Sequence, residues 1–255
     1  MWTLERDAAV PFWQPRDASP EAVLLFSIRR GGTSRAPYDS MNLGRSTQDA
    51  PAAVSANRER LLTCAALDPL RLATAGQVHG AKVVEVSAPG HYPECDALIT
   101  RTPGVVLAVT TADCMSLLYS APGVVAAAHS GWRGTAGGMP VAALEAVCRL
   151  AGCAPEAVTV AIGPAIRGCC YEVGDDVAGL FPAAAVRDTE SRPKLDLPTA
   201  ATLALRAAGV APESIHDTGA CTCCEPALYF SHRRDHGVTG RHWGVAALRM
   251  AGDGI

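Results

Sequence analysis

The 255-residue chain carries 22 Lys and Arg against 25 Asp and Glu, a formal net charge of −3 with histidine neutral. Near-balance without a Lys/Arg run argues against a surface built to neutralise nucleic acid or an anionic membrane, and 49% hydrophobic against 18% charged residues excludes a solvated, disordered chain. Ten cysteines fall well short of the roughly 8–10% of a disulfide scaffold, and Glu5, Arg6 and Asp7 interrupt any apolar leader. The expectation is a cytoplasmic protein with reduced thiols and a small-molecule partner.

Taken in chain order, the aliphatic runs bounded by turn residues predict strands at Val23–Ile28, Lys82–Val86, Val105–Thr110, Val124–His129, Val158–Ile162 and Gly244–Leu248. Helices are predicted at about Ala52–Ala66, at Met139–Ala151 before Gly152, at Asp175–Leu180, and at Pro198–Ala208, where Pro198 opens the helix and Gly209 lies just past it. The stretch from Cys114 to Trp132 has no Asp, Glu, Lys or Arg. Its serines, His129 and the Pro122-Gly123 turn make it two buried strands, not a membrane helix. Several strands lack polar alternation, as strands covered on both faces do. The class is therefore α/β, or an α+β layered sandwich with a mixed sheet, in a single domain spanning residues 1–255. The order is no clean βαβ alternation, and neither Gly31-Gly32 nor Gly137-Gly138 has the spacing of a phosphate-loop or dinucleotide fingerprint.

Three chemistry-bearing residues stand where strands run out into loops: His79 in Gln77-Val78-His79-Gly80, Cys114 in Thr111-Ala112-Asp113-Cys114, and His129 in Ala128-His129-Ser130-Gly131. Two imidazoles and a thiolate suit Zn²⁺ and leave one coordination position free. The same residues also fit a thiol nucleophile, with Cys114 as thiolate, His129 as base and Asp113 or a carbonyl orienting the imidazole. Only the metal reading needs His79. Asp113 is a candidate proton carrier or partner of a ligating histidine. Arg30, Arg133 and Arg233 lie at turns and are candidate clamps for a phosphate or carboxylate, and Trp132 is either a core anchor or a stacking platform for a purine. Cys64, Cys148 and Cys153 read as small core residues. Cys95 reads as a loop thiol. Cys169-Cys170 and Cys221-Thr222-Cys223-Cys224 lack the paired Cys-x-x-Cys of a structural zinc site.

The ordered set Gln77-Val78-His79-Gly80, Thr111-Ala112-Asp113-Cys114, Ala127-Ala128-His129-Ser130-Gly131-Trp132-Arg133-Gly134, Ile162-Gly163-Pro164-Ala165-Ile166 and Phe230-Ser231-His232-Arg233-Arg234-Asp235 closely resembles the laccase-domain family. That family was once called multicopper polyphenol oxidoreductases and later described as zinc-dependent purine nucleoside phosphorylases. The likeness runs from Arg30-Gly31-Gly32 to Thr239-Gly240-Arg241, with His232 where the family often has tyrosine. It implies a zinc held by His79, Cys114 and His129, with Asp113 beside it. The implied activity is phosphorolysis of adenosine, inosine, guanosine and methylthioadenosine, with adenosine deamination as a side activity. The implied fold is a layered α/β domain like that of certain Cys-His bacterial toxins. The implied partners are a purine nucleoside and phosphate, with no nucleic acid and no membrane, in a monomer or weak homodimer. A copper-dependent polyphenol oxidase is the alternative, although no two histidines have the His-x-His spacing of a trinuclear copper cluster. A cysteine hydrolase or peptidoglycan quality-control factor using Cys114 and His129 is a further class.

Overall fold

The uninterrupted aliphatic runs become the inner strands of two stacked sheets. The computed structural model describes residues 2–4, 9–15 and 21–250. The strands are β1 (Trp2–Leu4), β2 (Phe12–Pro15), β3 (Ala22–Ser27), β4 (Leu72–Ala75), β5 (Val83–Glu85), β6 (Gly90–Tyr92), β7 (Ala97–Thr100), β8 (Val106–Thr111), β9 (Met115–Ala121), β10 (Val124–Ser130), β11 (Thr159–Ile162), β12 (Val186–Arg187), β13 (Lys194–Leu195), β14 (Ile215–Asp217) and β15 (His242–Leu248). The helices are α1 (Pro51–Cys64), α2 (Trp132–Ala136), α3 (Met139–Ala151), α4 (Asp175–Ala178) and α5 (Leu197–Ala207). One sheet runs β1-β2-β3-β15-β8-β4-β6 and the other β14-β11-β9-β10-β7-β5. Both are mixed: β4 is parallel to β6 and β8, β5 to β7, and β11 to β14, while the remaining pairs in these sheets are antiparallel.

Alternation along each strand sorts side chains into layers. On β15, Trp243, Val245 and Ala247 face Leu61 and Leu62 of α1, whereas Ala246 and Leu248 join Leu24, Phe26, Leu107 and Val109 against the second sheet. That second sheet answers with Leu98, Leu118, Val125, Ala127 and Ala161. Its outer face, including Leu117, Tyr119 and Ala126, packs under Leu144 and Val147 of α3 and Leu205 of α5. The result is helix, sheet, sheet, helix, with β9, β10 and β15 buried along their whole length. Cβ-less Gly244 lets the sheets close at one end, since a methyl there would lie 2.5 Å from Ser116 Cβ.

The expected helices and strands appear with ends shifted by a residue or two, and 175–180 shortens to Asp175–Ala178. Asp196 caps α5 by accepting from the Thr199 amide at 2.9 Å, and Gly152 closes α3 in the left-handed region at φ 65°. Cys64 is exposed at the end of α1 and is not a core residue, because it lies off the buried stripe of Val54, Asn57, Arg58, Leu61 and Leu62. Cys148 and Cys153 are half-buried against the outer core, as expected. Cys95 lies in the loop between β6 and β7, as expected, but its side chain is fully buried in the core between the sheets. Among the described residues no helix is long and apolar enough to cross a membrane.

Leu118 is fully buried where the sheets meet. Leu118→Ala is expected to lower unfolding stability by about 2–5 kcal/mol, read by urea denaturation. Cys64→Ser, at an exposed position, should stay within about 0.5 kcal/mol of the parent.

Candidate metal and substrate site

Three chain segments meet at one end of the sandwich. One is the loop 76–80 leaving β4, the second is the crossover 112–114 that carries the chain from β8 in one sheet to β9 in the other, and the third is the end of β10. They bring one ligand atom each of His79, Cys114 and His129 within 4.8 Å of one another. The two imidazoles meet edge to face, with centroids 4.8 Å apart and an interplanar angle of 79°.

Asp96, fully buried just before β7, organises this triad. Its Oδ2 accepts from the amides of Val78 and Gly80 at 3.1 and 2.8 Å, and its Oδ1 accepts from the His79 amide at 2.9 Å. His129 Nδ1 lies 2.9 Å from the same Oδ1, and the His129 amide donates to the Asp96 carbonyl at 2.7 Å. A carboxylate on Nδ1 assigns the proton to that nitrogen and leaves Nε2 for Cys114 or a metal. Burial pulls the His129 pKa down, but Asp96 and Cys114 outweigh it and raise it to about 9. Burial would raise Asp96, yet the bonds from His129, Gly80 and His79 hold it below the ordinary carboxylate value. Burial and the neighbouring His129 lower His79, keeping it neutral as a ligand must be.

The backbone here is strained. Gln77, His79 and Asp113 occupy the left-handed region at φ 58°, 62° and 87°, where side chains are disfavoured. Asp96 holds the first loop through its three amides. Gln77 adds two bonds to the end of β8, donating Nε2 to the Thr110 carbonyl at 2.7 Å and accepting the Thr110 amide at 2.8 Å. Asp113 is engaged on both oxygens, by Thr222 Oγ1 at 2.6 Å and the Arg233 amide at 2.6 Å. The expected histidine partner Asp113 therefore gives way to Asp96, because the crossover turns its carboxylate toward the loops bearing Thr222 and Arg233. Gly131 completes the pocket: a Cβ there would lie 2.8 Å from Cys114 Sγ and 3.3 Å from His79 Nδ1.

A cavity of about 870 Å³ opens from the triad, with Ile166, Tyr171 and Leu197 on one wall and Arg45, Arg58, Arg233 and Arg241 among its cations. Arg58 is 9% exposed, stacks on Trp243 at 4.6 Å, and donates Nε and Nη2 to the Leu43 carbonyl at 2.8 and 2.6 Å. Burial and the nearby Arg45 lower its pKa to about 10. Burial likewise lowers Arg241, whose Nη1 donates to the Thr239 and Gly240 carbonyls. Among the described residues neither guanidinium is in an ion pair with a carboxylate.

Of the expected substrate handles, Arg233 lines the cavity, its guanidinium 5.0 Å over the Tyr171 ring. Arg133 is exposed and stacked on Trp132 at 4.3 Å, close enough for its charge to bear on His79. Trp132 itself packs half-buried on the outer core. Arg30 does not line the cavity; the segment around it lies along residues 226–228, and its Nε donates to the Ala227 carbonyl at 2.9 Å. Sequence reasoning missed Asp96, Arg45 and Arg58. The visible signal for Arg58 was a charge, next to the polar Asn57, on the inward stripe that α1 completes with Val54, Leu61 and Leu62.

Residues 23–249 match a family model described as multi-copper polyphenol oxidoreductase laccase. A purine nucleoside phosphorylase of Deinococcus radiodurans is 43% identical over 240 residues, covering 92% of this chain and 91% of that protein. The purine nucleoside phosphorylase YlmD of Geobacillus stearothermophilus is 39% identical, covering 86% of this chain and 88% of that protein. The crystal structure of YlmD from that organism superposes with a TM-score of 0.91 at 36% identity, covering 98% of this chain and all of that one. Bacillus licheniformis YfiH superposes with a TM-score of 0.89 at 29% identity, covering 96% and 99%.

Asp96→Asn keeps the side chain's size but removes the charge that fixes His129. It is expected to weaken zinc binding about 10–100-fold, measured by competition with a chromophoric chelator. Gly131→Ala, which places a methyl against Cys114 Sγ, should weaken zinc binding too while Gly123→Ala, open on all sides, should not. Unchanged affinity in Asp96→Asn would remove that residue from the site.

Proposed function

The chain belongs to the multi-copper polyphenol oxidoreductase laccase family, and from that membership and the site's make-up we propose that it is a zinc-dependent purine nucleoside phosphorylase. The observation that carries the reading is the pairing, in one cavity, of a His79/Cys114/His129 ligand set with two guanidiniums, the buried Arg58 and the half-buried Arg241, that among the described residues lack a carboxylate partner. The names of the similar bacterial proteins support the same reaction class. Adenosine, inosine, guanosine and methylthioadenosine are the proposed nucleosides, with adenosine deamination as a side activity.

The donor set fits zinc: two imidazoles, of which His129 would release its Nε2 proton on binding, and one thiolate leave a fourth position, and Gly131 keeps side-chain atoms out of the space beside Cys114 and His79. When bound, zinc supplies a Lewis acid that polarises an oxygen of the reactants. The remaining chemistry falls to the protein. Guanidiniums drawn away from water and bonded to carbonyls, with no carboxylate to neutralise them, favour an anion, since the ion offsets their desolvation cost. Arg58 and Arg241, with Arg45 and Arg233 nearby, therefore bind phosphate and hold it for attack on the ribose anomeric carbon. Ile166, Leu197 and the Tyr171 ring take the departing base and exclude water from that wall. Asp113 acts as a positioning residue: by accepting from the Arg233 amide it fixes the segment that carries the Arg233 guanidinium.

Copper is the second reading, favoured by the family's description and by a His/Cys set that also accepts copper. Both are tested together by following adenosine and inosine chromatographically with and without phosphate, and a phenolic substrate after copper loading. Free base and ribose 1-phosphate should appear only with phosphate, and Cys114→Ala should abolish them. Arg241→Ala should raise the KM for phosphate about tenfold or more, as loss of a charge-assisted contact worth about 1.5–3 kcal/mol predicts, with little change in the nucleoside KM. Base release without phosphate overturns phosphorolysis, and inosine formation as the main product replaces it with deamination.

A further inference from the structure

Four thiols outside this site converge. Cys169 and Cys170 stand in the loop after β11, and Cys221 and Cys224 in the loop after β14. Cys169 Sγ lies 3.5 Å from Cys221 Sγ and 3.4 Å from Cys224 Sγ, and Cys170 Sγ lies 3.3 Å from Cys224 Sγ. All four sulfurs fall within 4.8 Å of one another, and all are free thiols. The backbone beneath is already joined: Ala165 bridges Cys221, and the Thr222 amide donates to the Ala165 carbonyl at 3.1 Å.

A tetrahedral zinc with Zn–S bonds of about 2.3 Å has sulfurs about 3.8 Å apart, so this group needs only small side-chain adjustments to take one. Iron–sulfur clusters place their ligands on separate irons and need the sulfurs wider apart. Soft thiolates select zinc over the hard divalent cations. Four protein ligands close the coordination shell, which marks a structural and not a catalytic ion. Such a centre would carry a net charge of −2. Beside it Lys194 Nζ donates to the Cys169 carbonyl at 3.3 Å and Arg234 Nη1 to the Thr222 carbonyl at 2.8 Å, each cation also pairing with a carboxylate, Glu172 and Asp235 respectively.

We propose that Cys169, Cys170, Cys221 and Cys224 bind one zinc ion as a tetrathiolate, separate from the His79/Cys114/His129 site. Binding exchanges four thiol protons, released to solvent, for one Zn²⁺, with no change of oxidation state. The ion ties together two loops that serve the cavity. The first supplies Ile166 and Tyr171 to its wall. The second places Thr222, between ligands Cys221 and Cys224, to donate to Asp113 Oδ1.

Metal content of the full chain, purified under reducing conditions and measured by mass spectrometry, tests this directly. Two zinc ions per chain are expected. Cys114→Ala should retain one, Cys170→Ser/Cys224→Ser should retain the other, and Cys223→Ser should keep both. Cobalt loading of Cys114→Ala gives a readout that leaves the cluster untouched: the intense thiolate-to-cobalt charge transfer of a four-sulfur tetrahedral site should appear. A single zinc that vanishes with Cys114→Ala overturns the proposal. So does a cobalt spectrum without four-sulfur character, or a mass two or four hydrogens short, which would assign these thiols to disulfides. None of these outcomes depends on whether the protein is a phosphorylase.

Discussion

The buried carboxylate of Asp96 is the constraint on which the candidate site depends. An unpaired charge in the interior is too costly to persist, and Asp96 is held by four donors: the amides of Val78, His79 and Gly80 and the ring of His129. Those donors come from different sheets, since loop 76–80 leaves β4 in the seven-stranded sheet while Asp96 leads into β7 and His129 ends β10, both in the six-stranded one. One carboxylate therefore joins the two layers at the end where the cavity opens. It fixes the tautomer of one imidazole and sets the main chain that carries the other.

The cavity divides chemically along its length. The end with the His79/Cys114/His129 group is made of strand termini and the loops that leave them, and the cations among the cavity's lining residues draw on α1 and the approach to β15. This explains why α1 has so little amphipathic contrast. Its inward stripe includes Asn57, whose Nδ2 donates to Ser34 Oγ and to the Ser40 and Asn42 carbonyls, and whose Oδ1 accepts from the Thr33 amide. Next to it Arg58 anchors on the Leu43 carbonyl. The helix covers the sheet with Leu61 and Leu62 while clamping segment 33–44 with its polar residues. The near-neutral chain can thus present concentrated positive charge to a small anion without being basic overall.

What the sequence made legible follows from how local each signal is. Strands β3, β8, β10, β11 and β15 are aliphatic because both faces are covered, and composition alone reveals them. Strands of three residues such as β1, β6 and β14 are too short to show a period. They exist because a neighbour supplies the ladder. His79, Cys114 and His129 were visible as reactive side chains at strand ends, and the fold brings them together as the resemblance implied. Asp96 was not, because an acid before an apolar run becomes important only through donors far away in the chain. Arg30 shows the converse: a guanidinium beside a glycine pair looked available for the site, but it lies away from the cavity and bonds the Ala227 carbonyl of a distant loop. The four-thiol group was hidden because its Cys-x-x-Cys is completed by two adjacent cysteines, a pairing that only the parallel bridge from Ala165 to Cys221 sets up.

The arrangement of His129 between Asp96 and Cys114 is also what a thiol nucleophile would need, with an acid orienting a base and the base against a sulfur. His79 separates the two readings. A left-handed backbone at a residue with a side chain costs free energy, and here three hydrogen bonds to Asp96 maintain the loop that adopts it. The effect of that geometry is to set a second imidazole 4.8 Å from the first, where burial and its neighbour keep it neutral. A hydrolase gains nothing from a second neutral imidazole at that distance and would suffer from the crowding. A three-ligand metal centre requires one, so the strained loop fits the proposed metal reading better than the thiol one.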